Sequence, residues 1–144
     1  MEDLKLSGPT MLPGGSIVES TIQISAGAIV HVTAGGDPKA DILTDGVILP
    51  GFIDLQVNGA YGYDFTTDGT SVAAVARLLP ATGVTAFLPT VITSPFDAYP
   101  TRLREIADAM RVAEGAKPLG VHLEGPYLSP ARRGAHDPAV NAGA

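Results

Sequence analysis

The sequence predicts a mixed α/β fold, in which a short antiparallel region is followed by a parallel sheet with helices on its outside. Three observations predict it. With 45% apolar and 17% charged residues, the 144-residue chain has the composition of a core-building protein. Its 17 Gly and 12 Pro cut it into short, regular segments. After Pro50 those segments alternate strand and helix, with strands starting near Phe52, Val84 and Leu119, a spacing of about one βα unit.

From Ser16 to about Val47 the text is rich in Ser, Thr, Ile and Val, with turns at Ala26-Gly27, Gly35-Gly36-Asp37-Pro38 and Asp45-Gly46. This reads as three or four short antiparallel strands, too few to close a sandwich. Beyond Pro50 the strand-then-helix pattern is expected three times, with strands from Phe52 to Asn58, Val84 to Ile92 and Leu119 to Glu124. The first helix is announced by Val72, Val75, Ala76 and Leu79 at i, i+3, i+4, i+7, with Asp68 or Thr70 as N-cap and Gly83 as the stop. The second carries the stripe Tyr99, Leu103, Ile106, Met110 and Ala113, and Gly115 ends it. Both stripes are read as core, packed against Ile53, Leu55, Val57, Val121 and Leu123.

Charge and cysteine content exclude several functions. Nine Lys+Arg stand against 15 Asp+Glu, a net charge of −6, and the only adjacent basic pair is Arg132-Arg133, read as a solvated loop pair. A nucleic-acid backbone needs clustered cations, so no nucleic-acid partner is expected. The absence of Cys removes disulfides, thiol nucleophiles and thiolate zinc sites, and fits a reducing, cytoplasmic setting. No run approaches eighteen apolar residues, and the opening MEDLKLSGPT has no basic region leading into an apolar one, so neither membrane insertion nor export is expected.

The candidate site follows from strand alternation. Ile53, Leu55 and Val57 share one face of the first strand after Pro50, and Asp54, Gln56 and Asn58 share the other. Three polar side chains in succession on a buried strand need the hydrogen-bond partners of a barrel interior or a site, because each unpartnered one costs about 1–3 kcal/mol; the alternative is an edge strand facing water. The third strand likewise sets His122 and Glu124 on one face, with Gly125-Pro126 turning the chain beyond them. Ligands of parallel α/β folds sit at the C-terminal ends of strands, which places Glu124 at the rim as metal ligand, general base or half of an ion pair. His122, one layer deeper, is read as hydrogen-bonded within the core, and His31 as structural.

Four motifs in order, the run Leu49-Pro50-Gly51-Phe52-Ile53-Asp54-Leu55-Gln56-Val57-Asn58-Gly59, then Gly83-Val84-Thr85-Ala86-Phe87-Leu88-Pro89-Thr90, then His122-Leu123-Glu124-Gly125-Pro126, then Gly134-Ala135-His136, resemble the N-acetylglucosamine-6-phosphate deacetylase family of the amidohydrolase superfamily. The resemblance covers about Leu49 to Pro138. It implies the first three strand-helix units of a TIM (β/α)8 barrel over residues 49–144, preceded over residues 1–48 by part of a small β-sandwich domain. The implied reaction removes acetyl from N-acetylglucosamine 6-phosphate, giving glucosamine 6-phosphate and acetate.

The resemblance also implies roles. Where the superfamily commonly ends its first barrel strand in His-x-His, this chain has Gln56 and Asn58, and amides are poor zinc ligands. The implied site therefore holds one divalent metal ion, zinc or iron, with Glu124 as ligand and Gln56 and Asn58 lining it. Ala135 and His136 match a turn that contacts the sugar. The family's two histidine metal ligands, its catalytic aspartate and its phosphate-binding residues match nothing in this chain. A barrel needs about 250 residues. The chain is thus expected to be the N-terminal part of a deacetylase, inactive by itself and completed by the rest of its polypeptide or by another chain, the whole being a homo-oligomer. A non-catalytic binding or assembly module is one alternative. Another amidohydrolase, dihydroorotase-like or aminoacylase-like, is a second, against which the loss of His-x-His counts.

Overall fold

The computed structural model describes residues 3–140 and divides the chain into two compact units, Met1–Pro50 and Gly51–Ala144. It is mixed α/β, with two sheets and two α-helices among the described residues.

The first unit is one four-stranded sheet in the order β3-β2-β1-β4. Strand β1 (Leu4–Met11) pairs antiparallel with β2 (Ile17–Ser25), from Leu4 opposite Ile24 to Met11 opposite Ile17. β2 pairs antiparallel with β3 (Ala28–Ala34) through a two-residue turn. Both turn residues have positive φ, 50° at Ala26 and 79° at Gly27, the mirror-image geometry that matches strand twist. Two features depart from the sequence reading. β1 had no signal in the Ser/Thr/Ile/Val pattern, because Gly8 and Pro9 interrupt it. The short β4 (Ile42–Leu43) runs parallel, not antiparallel, to β1. Ser7 ties the unit together, its Oγ accepting from Asp37 N at 2.9 Å while itself buried. β3 is exposed along its whole length, and His31 on it is exposed rather than packed.

In the second unit β5 (Phe52–Val57), β6 (Val84–Ile92) and β7 (Lys117–Pro118) form a parallel sheet in that order, and β8 (His122–Glu124) also pairs parallel with β6. Of the strand expected from Leu119 to Glu124, only His122–Glu124 is extended as β8; β7 lies just before the expected start, with Gly120 in the gap between the two. α1 (Val72–Leu78) connects β5 to β6, and α2 (Tyr99–Arg111) connects β6 to β7. A 3-10 turn over Gly69–Ser71 leads into α1, with Asp68 accepting from Thr70 N at 3.0 Å and from the Thr70 hydroxyl at 2.6 Å. Those hydrogen bonds, the hydroxyl's first, hold the Asp68 carboxyl below its ordinary pKa. Gly83 closes the segment in the left-handed conformation at φ 83°. After β8 the described residues hold a 3-10 turn at Pro130–Arg132 where a third helix was expected.

The core lies between the sheet and the two helices: Val57, Phe65, Phe87 and Val91 against Val72, Val75, Ala76, Leu79, Tyr99 and Ile106. Both helical stripes are core as expected, and Val121 packs on it. Ile53, Leu55 and Leu123 do not pack there; they are 60%, 64% and 44% exposed. β5 is an edge strand, and α1, seven residues long, spans only about 10 Å. Val57 at the end of β5 is buried in the core, while the earlier residues stay open. No helix among the described residues is long and apolar enough to cross a membrane.

Candidate functional site

Because β5, β6 and β8 run parallel, their C-terminal ends lie side by side, and three short sequences meet there: Gln56-Val57-Asn58, Ile92-Thr93-Ser94 and Glu124-Gly125. Ile92 pairs with Glu124 in the β6–β8 ladder, which puts Thr93 beside the Glu124–Gly125 turn. Gln56 Nε2 donates to Glu124 Oε2 at 2.8 Å, and Asn58 Nδ2 donates to the same oxygen at 3.4 Å. The alternation read from the sequence thus brings Gln56, Asn58 and Glu124 together. Asp54 does not join them. Its Oδ1 accepts from Gln56 N at 3.0 Å, at the point where the β5 register shifts.

His136 comes to the same place from the loop after the Pro130–Arg132 turn. Its Nε2 stands 3.4 Å from Glu124 Oε1, and its Nδ1 is 2.7 Å from Thr93 Oγ1. The ring is 12% exposed and the Glu124 side chain 33%, so a loop histidine is better covered than the carboxylate it faces. Arg133 Nη1 donates to the His136 carbonyl at 2.9 Å and fastens the loop. Ala135, next in the chain, is exposed. His122 remains below the site, half-buried, with its Nδ1 3.4 Å from Thr90 Oγ1.

An open cavity of about 430 Å³ lies over these groups, lined by Asn58, Glu124, Arg132, Arg133, Ala135 and His136 among others. The two arginines, expected to be a solvated pair, are part of its wall. Arg132 is exposed and Arg133 is half-buried against the loop it holds. The cavity therefore joins one carboxylate, one amide and an imidazole with two permanent cations, a wall chemistry suited to a polar, anionic ligand.

Among the described residues no group of three or more His, Cys, Asp or Glu side chains is placed to hold a metal ion. Glu124 Oε2 is held by two amide N–H groups, and Oε1 faces the cavity side where His136 lies. A carboxylate braced in this way suits one position in the shell of a hard divalent ion, the other positions coming from elsewhere. Gln56 and Asn58 act here as donors to that carboxylate.

Thr93 was missed in the sequence. The rule that singled out the ends of β5 and β8 applies equally to β6, and applied there it would have found Thr93. Arg133 had no such signal, since only the folded loop shows what its guanidinium holds.

No protein-family model matches the chain. It is 39% identical over 152 aligned residues to a rat (Rattus norvegicus) N-acetylglucosamine-6-phosphate deacetylase, with 94% of this chain and 36% of the relative covered. It is 47% identical over 107 residues to the Caenorhabditis elegans protein of that name, 67% of this chain and 26% of the relative. Among solved structures, a mutant N-acetyl-D-glucosamine-6-phosphate deacetylase from Mycobacterium smegmatis, in complex with N-acetyl-D-glucosamine-6-phosphate, superposes with a TM-score of 0.82 at 27% identity over 100% of this chain and 38% of that one. The chain spans about a third of the length of the curated relatives it matches.

Proposed function

The chain belongs to the N-acetylglucosamine-6-phosphate deacetylase family, and from that premise we propose that it supplies one side of the active site of an enzyme that hydrolyses the acetamide of N-acetylglucosamine 6-phosphate to glucosamine 6-phosphate and acetate. The convergence of Gln56, Asn58, Glu124 and His136 at the ends of parallel strands carries the reading. The second unit is then the opening of a (β/α)8 barrel, residues 1–48 belong to a small β-sandwich domain, and the working enzyme is a cytoplasmic homo-oligomer.

In this reading Glu124 is this chain's one ligand to a divalent ion, zinc or iron. Bound there, the ion supplies acidity to water and polarisation to a carbonyl oxygen, which an unreactive amide needs. Gln56 and Asn58 hold the Glu124 carboxylate in one orientation through the amide bonds to Oε2. His136 and the backbone of Ala135 bind the sugar, with the imidazole on the cavity wall and the loop fixed by Arg133. The remaining metal ligands, the acid that protonates the departing amine and the phosphate-binding groups come from outside this chain.

The test compares the 144-residue chain with the complete enzyme that contains it. Acetate release from N-acetylglucosamine 6-phosphate, with zinc added, is expected from the complete enzyme and absent from the chain alone. Turnover proportional to the concentration of the purified chain would overturn the division of labour. A complete enzyme inert toward this substrate would overturn the function.

A further inference from the structure

We propose that Thr93 is the positioning residue of this site: its hydroxyl fixes the His136 ring in the Nδ1–H tautomer and so turns an unprotonated Nε2 toward the cavity. The ring geometry stands on the structure alone, and its bearing on deacetylation rests on the function proposed above. Thr93 is buried, 6% exposed, at the end of β6. Its Oγ1 lies 3.3 Å from the Glu124 carbonyl oxygen and 2.7 Å from His136 Nδ1. A hydroxyl has one proton and two lone pairs, and a carbonyl oxygen only accepts. With the Thr93 proton given to Glu124 O, the bond at 2.7 Å requires Nδ1 to donate. In a neutral imidazole the other nitrogen, Nε2, is then the acceptor.

The far side of the ring agrees. Nε2 stands 3.4 Å from Glu124 Oε1, well beyond the 2.7–2.9 Å of a charge-assisted N–H···O bond. Two acceptors side by side on the cavity wall can share one donor approaching from the cavity, such as a sugar hydroxyl or an amide N–H of a ligand. The packing around Thr93 is equally specific. A Cβ built on Gly125 would sit 2.1 Å from Thr93 Oγ1, so the turn after β8 has no space there for a side chain, and its φ of 102° already favours glycine. One buried hydroxyl thus joins the end of β6, the main chain at the end of β8 and the loop that carries His136.

The experiment reads the ring nitrogens directly. The chain is labelled with 15N-histidine, and two-bond proton–nitrogen correlations are recorded near pH 9, where histidine is ordinarily neutral. The three histidines are told apart with His136→Asn. The expected result is the Nδ1–H pattern for His136 in the wild type, its retention in Thr93→Ser, and its loss in Thr93→Val in favour of a mixture of tautomers. An Nε2–H pattern or a mixture in the wild type overturns the proposal without any variant, so a Thr93→Val chain that fails to fold does not shield it. An unchanged pattern in a folded Thr93→Val chain also overturns it. In the complete enzyme, kcat/KM should fall by about 10- to 100-fold in Thr93→Val and stay within about threefold of wild type in Thr93→Ser. Loss in both variants would reduce Thr93 to a packing role. A complete enzyme without deacetylase activity, but with the Nδ1–H pattern intact, would count against the function and leave the positioning role standing.

Discussion

Gln56 and Glu124 are 68 positions apart in the chain, yet Gln56 Nε2 donates to Glu124 Oε2 at 2.8 Å. In the complete enzyme, removing that donor with Gln56→Leu leaves only the longer Asn58 bond to orient the carboxylate, while its charge stays. Metal affinity is expected to drop by about 10- to 100-fold, the usual cost of losing a group that orients a ligand. Titration with a competing chelator measures it.

Glu124→Gln removes the charge itself at nearly constant volume. Metal content and turnover of the complete enzyme should fall together, by about 100-fold or more, because losing a ligand exceeds losing the group that orients it. Elemental analysis beside an acetate-release assay checks this. Retained metal with lost turnover would make Glu124 a base, and two equivalents of metal in the wild type would contradict a single-ion site.

Much of this was legible in the sequence, and the failures have definite causes. Alternation along β5 placed Gln56 and Asn58 on the face that meets Glu124, because a strand has a fixed period of two. Both helical stripes were found through their 3.6-residue period. Asp54 broke the alternation by bonding the backbone of its own strand, a local competition that no periodicity reports. Ile53 and Leu55 were assigned to the core from their hydrophobicity, but burial depends on what lies opposite, and nothing among the described residues lies over the start of β5. The position of His136 depends on a loop held by Arg133 and Thr93, contacts that join residues with no shared period.

Gly125→Ala should be strongly destabilising. It forces an L-residue into left-handed backbone and drives a methyl into Thr93 Oγ1. Together these cost about 3 kcal/mol. Urea denaturation of the variant, compared with the wild-type chain, measures the loss.

Ile106→Ala probes the core below the site. Ile106 is fully buried between α2 and its neighbours, and its truncation should cost about 3 kcal/mol. A loss below 1 kcal/mol on the same denaturation curve would mean that α2 is not packed as described.

Asp68 gives the stability a pH dependence of known sign. Hydrogen bonds from Thr70 favour its ionised form, so its folded pKa lies below the ordinary carboxylate value of 3.8. The stabilisation is therefore present above about that pH and is lost as the pH falls through the lower, folded value. Asp68→Asn keeps a capping acceptor but removes the charge, and its denaturation midpoint should be less sensitive than that of the wild type between pH 5 and pH 2.

The meeting of Gln56, Thr93, Glu124 and His136 has a kinetic consequence. The β2–β3 turn and α1 and α2 close over short stretches of chain and can form early. The site needs segments that start at Gln56 and end at His136, joined by parallel strands whose connections are long. Its hydrogen bonds close the largest loops and are therefore expected late in folding. The environment of His136 should reach its native state after helix formation is complete, and its appearance should mark the molecules that have finished folding.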